Sequence, residues 1–414
     1  MQLERDAGTR IAYGMVATYA FFLYFLGPVT PLIAEQLGVS LTLAGLTGVA
    51  LAAGLVLSGL VGPSLIRRWG RRTVALSAAG GLATAGVLLA IVPSFPGVLL
   101  AVLVAAACGS MLMNVASAAL SDRHGPSGPR ALTEANAVAA WVGLTAPLLI
   151  GAAVATGLGW RVAALGITVV ALALAVGLTR VRLPQAADPD ERVVGVADTS
   201  VAAPVQTRPR GPLPAAFFVS LVAVVAAVGA EIALNFWGAV LIAQNTGVEL
   251  AVTTATISAM IAGIAVGRTV GSTLTRQLSV AQLIYSSLGV ALVGFFVVWL
   301  AGTLPLAIAG LFLSGLGLAL LFPLTSSLAI RHAAGQTDRA IAFIAVTTGV
   351  TLGAAPFILG ALAGQIGVSA GFLIVPVLIG VGVLAVRGAT RPSAAEVNDP
   401  ADPAAPSATT RHSQ

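Results

Sequence analysis

Long apolar stretches alternate with short polar ones along the whole chain. Twelve runs, each about 20 residues or longer, are apolar enough to cross a bilayer core about 30 Å thick as helices. They occupy 11–34, 43–66, 73–92, 97–120, 132–156, 161–180, 214–242, 251–273, 280–301, 304–329, 339–363 and 368–387. The runs are continuous, without the ten-residue alternation of a membrane barrel, so the pattern predicts helices throughout. Two polar stretches stand apart. Residues 181–213, with Pro184, Pro189, Pro204, Pro209 and Pro212, cannot bury a core and read as a flexible linker. The tail from 390, rich in Pro, Ala and Asp, reads as disordered. The expected domains are therefore a six-helix bundle over 1–180, a linker over 181–213, a second six-helix bundle over 214–389 and a tail over 390–414. Arg5 and Arg10 precede a first run of about 24 residues, too long for the apolar core of a cleavable signal.

Composition agrees with a bilayer. Of 414 residues 57% are hydrophobic and 9% charged, and mean hydropathy is +0.98. A soluble protein carries about 25% charged residues. A soluble enzyme, a nucleic-acid binder and a disordered scaffold are thereby excluded. The net charge of +6 comes from 21 basic residues, all Arg, clustered between apolar runs. That placement marks topology rather than a nucleic-acid face. With the N-terminus inside, the connections holding Arg67 to Arg72, Arg123 and Arg130, Arg180 to Arg210, Arg276, Arg331 and Arg339, and Arg387 and Arg391 are all cytoplasmic; the opposite ones hold only Arg161. Both termini are expected in the cytoplasm, which needs an even number of crossings. Cys108 is the lone cysteine, and His124, His332 and His412 lie in polar connections or the tail. No metal or cofactor is expected, and without a Gly-Lys-Ser/Thr ending no ATP use either.

The halves repeat. Shifted by 209, Gly62-Pro-Ser-Leu-Ile-Arg67 falls on Gly271-Ser-Thr-Leu-Thr-Arg276, Arg130-Ala131 on Arg339-Ala340, and Ala146-Pro147 with Gly151-Ala152 on Ala355-Pro356 with Gly360-Ala361. Shifted by 208, Leu120 with Arg123-His124 falls on Leu328 with Arg331-His332. Six crossings per repeat give both halves the same orientation, related by an axis along the membrane normal. Two similar halves with a site between them is an architecture of alternating access.

With these features the chain resembles the major facilitator superfamily over residues 10–390. The best marker is the loop between helices two and three. The family pattern Gly-x-x-x-Asp-Arg-x-Gly-Arg-Arg meets Pro63-Ser-Leu-Ile-Arg67-Arg68-Trp69-Gly70-Arg71-Arg72, with Arg67 in place of the family Asp and the first Gly displaced to Gly62. The resemblance implies an all-α membrane fold of twelve helices in two pseudo-symmetric bundles. It also implies a cytoplasmic gate at Arg67, Arg68, Gly70, Arg71 and Arg72, in which Arg67 replaces the acid of the usual clamp. Glu231 with Asn235 and Trp237, Met113-Asn114, Gly267-Arg268 with Gly271, and Phe322-Pro323 are similar to the fucose–proton symporter branch and its relatives; the branch carboxylates of helices one and four have no clear counterpart. No sugar substrate is carried over.

Glu231 stands out chemically. It lies near the middle of its run, where a carboxylate costs a few kcal/mol unless it faces a wet cavity or carries a proton. The other acids of the helices, Glu35, Glu134, Glu249 and Asp338, lie near helix ends. Glu231 is the candidate proton-coupling group; the alternative is a neutral acid bonding two helices. Asn235, one turn on, shares its face. Ser110, Asn114, Ser117 and Ser121 form a second polar stripe in helix four. By resemblance helices one, four, seven and ten line a central cavity, so Tyr19, Tyr24, Asn114, Asn235 and Trp237 are candidate substrate contacts, with packing or interface anchoring the alternative for each aromatic. Arg268, nearer the cytoplasmic end of helix eight, is a candidate gate residue, with Asp338 as its partner. Its direct pairing with Glu231 is disfavoured, since the rise of about 1.5 Å per residue separates the two by roughly 10 Å or more in depth.

The resulting expectation is a monomeric secondary transporter in a bacterial cytoplasmic membrane, not an enzyme. Its expected partners are a small-molecule substrate, protons and the lipid bilayer, without nucleic acid. Proton-coupled uptake, proton-driven efflux of drugs or metabolites, and a passive uniporter all fit. A non-transporting receptor or scaffold is the remaining class.

Overall fold

The computed structural model describes residues 5–181, 211–274 and 277–390. The expected linker and tail fall almost wholly outside the described residues, as does Arg276. Among the described residues, eleven helical stretches are long and apolar enough to cross a membrane. One of them, Leu41–Ile91, has 51 residues, too many for one crossing. Its helix Leu46–Ile91 is interrupted at Gly70, with φ 77° and ψ 158°, a conformation that only glycine adopts at little cost. The chain reverses there, because Gly54 before the turn and Gly81 after it both lie against residues 103–108. Two crossings result, α2 over 46–69 and α3 over 71–91, and the count reaches twelve as the apolar pattern predicts.

The remaining crossings are α1 (Ala7–Leu37), α4 (Phe95–His124), α5 (Gly128–Gly143 and Thr145–Ala155), α6 (Gly159–Arg180), α7 (Ala215–Thr246), α8 (Leu250–Leu274), α9 (Val280–Trp299), α10 (Leu304–Leu318 and Leu321–Arg331), α11 (Thr337–Ile366) and α12 (Val368–Gly371 and Ile374–Thr390). Three of them break. Each break lies three or four residues before a proline, Pro147, Pro323 or Pro376, where the ring removes a backbone N–H and crowds the preceding turn.

Helices α1–α6 and α7–α12 form two halves. Across the seam α1 packs on α7, α2 on α11 and α5 on α8. The repeat exchanges these partners with one another, as a two-fold axis requires. Residues of equal rank meet on that axis: Tyr24 bonds Glu231 and Gly27 abuts Asn235, offsets of 207 and 208. The repeated Arg-His element also does the same work twice. His124 Nε2 bonds the Thr9 hydroxyl at 2.9 Å, tying α4 to α1. His332 Nδ1 bonds the Ser220 hydroxyl at 2.8 Å, tying α10 to α7. Arg123 pairs with Asp6 beside the first of these.

The halves meet at the end away from the termini. Gly45 and Gly48 lie against the Pro356–Phe357 backbone and the Pro356 ring, Gly353 against Ala52, Gly360 against Leu41, and Gly151 against Ala255. Thr42 Oγ1 donates to the Gly360 carbonyl at 3.3 Å. The repeated Ala-Pro-x-x-x-Gly element of α5 and α11 therefore builds both seams. Small residues let the backbones approach. The close approaches of one half on the other are gathered at the far end, and towards the terminal end Leu60 of α2 and Val346 of α11 are exposed. The crevice thus opens towards the end that carries the termini.

A side chain at Gly45 would meet the backbone of α11, which cannot turn aside. Gly45→Leu is expected to cost this closed far end about 1–3 kcal/mol. In a Cys108→Ala background, labelling of Thr42→Cys by a membrane-impermeant thiol reagent should rise when Gly45→Leu is added. Unchanged labelling would mean that the seam does not depend on this close approach.

Candidate functional site

Glu231 lies midway along α7 and faces the other half. The Tyr24 hydroxyl of α1 donates to its Oε1 in a long hydrogen bond of 3.5 Å. Tyr24 is buried, and its ring lies over Gly143 of α5, where a Cβ would overlap it. Arg268 of α8 joins them from the terminal side. Its guanidinium interacts with the Tyr24 hydroxyl and acts electrostatically on both Tyr24 and Glu231. No ion pair joins Arg268 to a carboxylate among the described residues. Glu231 and Arg268 are both half-buried, not sealed. Arg268 and Glu231 form no ion pair, as their difference in depth predicts; the arginine acts on the carboxylate electrostatically. A long arginine arm that follows the helix surface shortens that separation, and the Tyr24 hydroxyl meets both groups.

One turn beyond Glu231, Asn235 is 3% exposed. Its Oδ1 faces Gly27 of α1 so closely that any side chain there would collide. Its Nδ2 has no hydrogen-bond partner among the described residues. A glycine at 27 is required for the two helices to cross at this point.

The other candidates lie elsewhere. Tyr19 is half-buried, its ring against Gly109 of α4. Asn114 is exposed on α4 and donates to Ser58 Oγ of α2 at 3.4 Å, inside one half. Trp237 is 1% exposed, and its indole N–H donates to the Pro356 carbonyl of α11 at 2.9 Å. In this conformation Trp237 fastens α7 to α11 and does not line the crevice. Two apolar pockets of about 260 and 250 Å³ also lie within single halves, against α2–α4 and against α7, α11 and α12.

The arginine-rich loop acts within the first half. Arg71 pairs with Asp122 at the end of α4 at 2.6 Å. Arg72 donates to the Leu178 and Thr179 carbonyls at 3.2 and 2.6 Å, capping α6. Arg67 and Arg68 are exposed, and Gly70 makes the turn. The side chain of Asp338, the expected partner of Arg268, lies outside the described residues. Sequence reasoning missed Asp122, because an acid in a polar connection carries no signal of its own. It missed Gly27 and Gly143 as well, in a chain with 47 glycines. Arg161, alone among the far-end connections in the topology count, donates to the Val92 carbonyl at 2.7 Å and so caps α3.

Comparison with known proteins follows the same lines. The model of the Major Facilitator Superfamily matches residues 12–336. No curated protein sequence matches the chain. Among solved structures, the nucleoside transporter NupG aligns at TM-score 0.69 and 11% identity, covering 92% of this chain and 100% of that one. A bacterial homologue of the human lysosomal transporter Spinster, inward-facing and unoccupied, aligns at TM-score 0.62 and 16% identity over 94% of each chain. FucP in the outward conformation aligns at TM-score 0.60 and 15% identity, over 93% of this chain and 99% of that one. At such identities the likeness is one of fold. With the twelve crossings, the repeated halves and a family match over well more than half its length, the chain belongs to the major facilitator superfamily of secondary transporters.

Proposed function

We propose that the protein moves a small organic solute across a bacterial cytoplasmic membrane by alternating access, coupled to protons through Glu231, with both termini in the cytoplasm. The observation that carries this reading is the hydrogen bond from Tyr24 of one half to Glu231 of the other, at the middle of the seam. A carboxylate there has a partner in the opposite half as well as in its own. When ionised it accepts the tyrosine hydrogen bond from the other half and feels the Arg268 charge from the neighbouring helix of its own half; when protonated it does not need the bond from the other half. Its protonation is thereby linked to the distance between the halves, and a ligand-driven rocking of one half on the other changes its proton affinity. Linkage of this kind is reciprocal, so proton binding biases the rocking in turn.

The arginine clusters at the terminal end support the orientation. The crevice open towards that end corresponds to a cytoplasm-facing state. Named substrates of the structural neighbours range from nucleosides to fucose, so the fold alone leaves the solute open. Tyr24, Asn235 and Tyr19 are the proposed contacts; Trp237 and Asn114 are assigned to packing of α7 on α11 and of α4 on α2.

In proteoliposomes holding a pH-sensitive dye, a solute that moves protons through the native protein should move none through Glu231→Gln, while solute exchange at equal concentrations persists. Proton movement that survives the substitution would remove Glu231 from the coupling, and gradient-independent transport in both proteins would leave a uniporter. Trp237→Phe deletes the bond to Pro356 and part of a buried ring. It should lower thermal stability by about 1–3 kcal/mol and leave solute preference unchanged; a changed preference would return Trp237 to the binding site.

A further inference from the structure

The polar groups at the seam are unevenly matched. Three side chains offer N–H or O–H groups: Arg268, the Tyr24 hydroxyl and the Asn235 amide, whose Nδ2 is buried without a partner among the described residues. One side chain, Glu231, offers charged acceptor oxygens, and Tyr24 already donates to it. Flipping the Asn235 amide does not relieve the shortage, because it would press its N–H groups against Gly27.

Charge sharpens the point. Arg268 has no carboxylate at ion-pair distance among the described residues, and the negative charge acting on it at the seam is Glu231. Tyr24 and Arg268 are the titratable or charged groups that act on Glu231. The helices otherwise packed on α7 bring uncharged residues to this level, such as Thr351 and Leu378 beside Gly229. His332 of α10 meets α7 at Ser220, three turns nearer the terminal end. Among the described residues, protonating Glu231 therefore leaves Arg268 as one uncompensated, half-buried cation at membrane depth, a costly state unless an anion arrives. Releasing the proton restores the internal balance and makes a bound anion surplus.

Accordingly we infer that the transported solute is a small organic monocarboxylate, held by Arg268 with a further acceptor group at Asn235, and that it crosses together with the proton on Glu231. This rests on the proton-coupling reading above and adds the substrate class. The pair adds no net charge to the loaded site, so the loaded protein rocks with the same charge as the empty one. A neutral sugar or nucleoside would leave the cation unbalanced, and an amine would double it.

Purified protein is to be tested with pyruvate, glycerate, gluconate and N-acetylglycine, each beside its neutral amide. Binding is read by ligand-induced thermal shift in detergent, and transport by dye-reported proton uptake in proteoliposomes against protein-free vesicles. At least one carboxylate should bind, its amide should not, and binding should tighten as pH falls. Arg268→Gln should weaken that binding about tenfold to a hundredfold, and Arg268→Lys should retain part of it, which shows a folded site. Glu231→Gln should bind the carboxylate at least as well as the native protein, now without pH dependence. If no carboxylate binds, if amides bind equally, or if Arg268→Gln binds as the native protein does, the substrate class is overturned, whatever Glu231 does. If carboxylates bind and exchange through Arg268 but carry no protons in the native protein, the coupling reading fails and the substrate class survives.

Discussion

A single carboxylate, Glu231, lies where two bundles meet, partnered from both. Elsewhere in the membrane-spanning region, helices satisfy their own backbones and apolar side chains meet lipid or one another. Glu231 cannot be satisfied in that way. Its partners come from outside its own helix, the Tyr24 hydroxyl from the opposite half and the Arg268 guanidinium from the neighbouring helix. Any movement between the halves changes the surroundings of that one group. The rest of the structure can be understood as what holds it at the seam.

Two kinds of contact do that holding, and they differ by depth. At the far end the halves touch through glycines, alanines and prolines, with backbones in direct approach and one threonine hydrogen bond. Such a seam has little side-chain interlocking, so parting it needs little repacking. At the terminal end the strong polar contacts stay inside each half. Arg71 with Asp122, Arg72 with the end of α6, and the two histidine–hydroxyl bonds each bind helices of one bundle together. Each half is thus stiffened as a body while the halves remain free of one another. The arginine at position 67, where the family has an acid, is consistent with a gate that makes no clamp at this site in the crevice-open state.

The internal repeat gives these contacts their logic. Positions of equal rank in the halves are brought face to face only on the axis between α1 and α7, where Tyr24 meets Glu231 and Gly27 meets Asn235. Symmetry there is kept in the backbone and broken in chemistry. A tyrosine in one half stands opposite an acid in the other, so the seam carries a hydrogen bond in place of repulsion between two carboxylates. Away from the axis the repeat is used twice, as in the Pro147 and Pro356 elements that build the two far-end seams.

Much of this was legible in the residues. Run length and composition set the number of crossings, because a helix of about 20 apolar residues has no other stable place. The repeat gave the two halves, and the depth of Glu231 marked it as the group to watch. Its partners were not legible. Whether Trp237 faces a crevice or fastens two helices depends on which side of α7 meets α11. Whether Arg268 reaches Glu231 depends on the path of a flexible side chain and on a tyrosine more than 200 residues away in sequence. Periodicity along one helix specifies its faces but not what each face meets. The chain by itself determined what must be buried in the membrane; only the packing of one half on the other decided which polar groups share that burial.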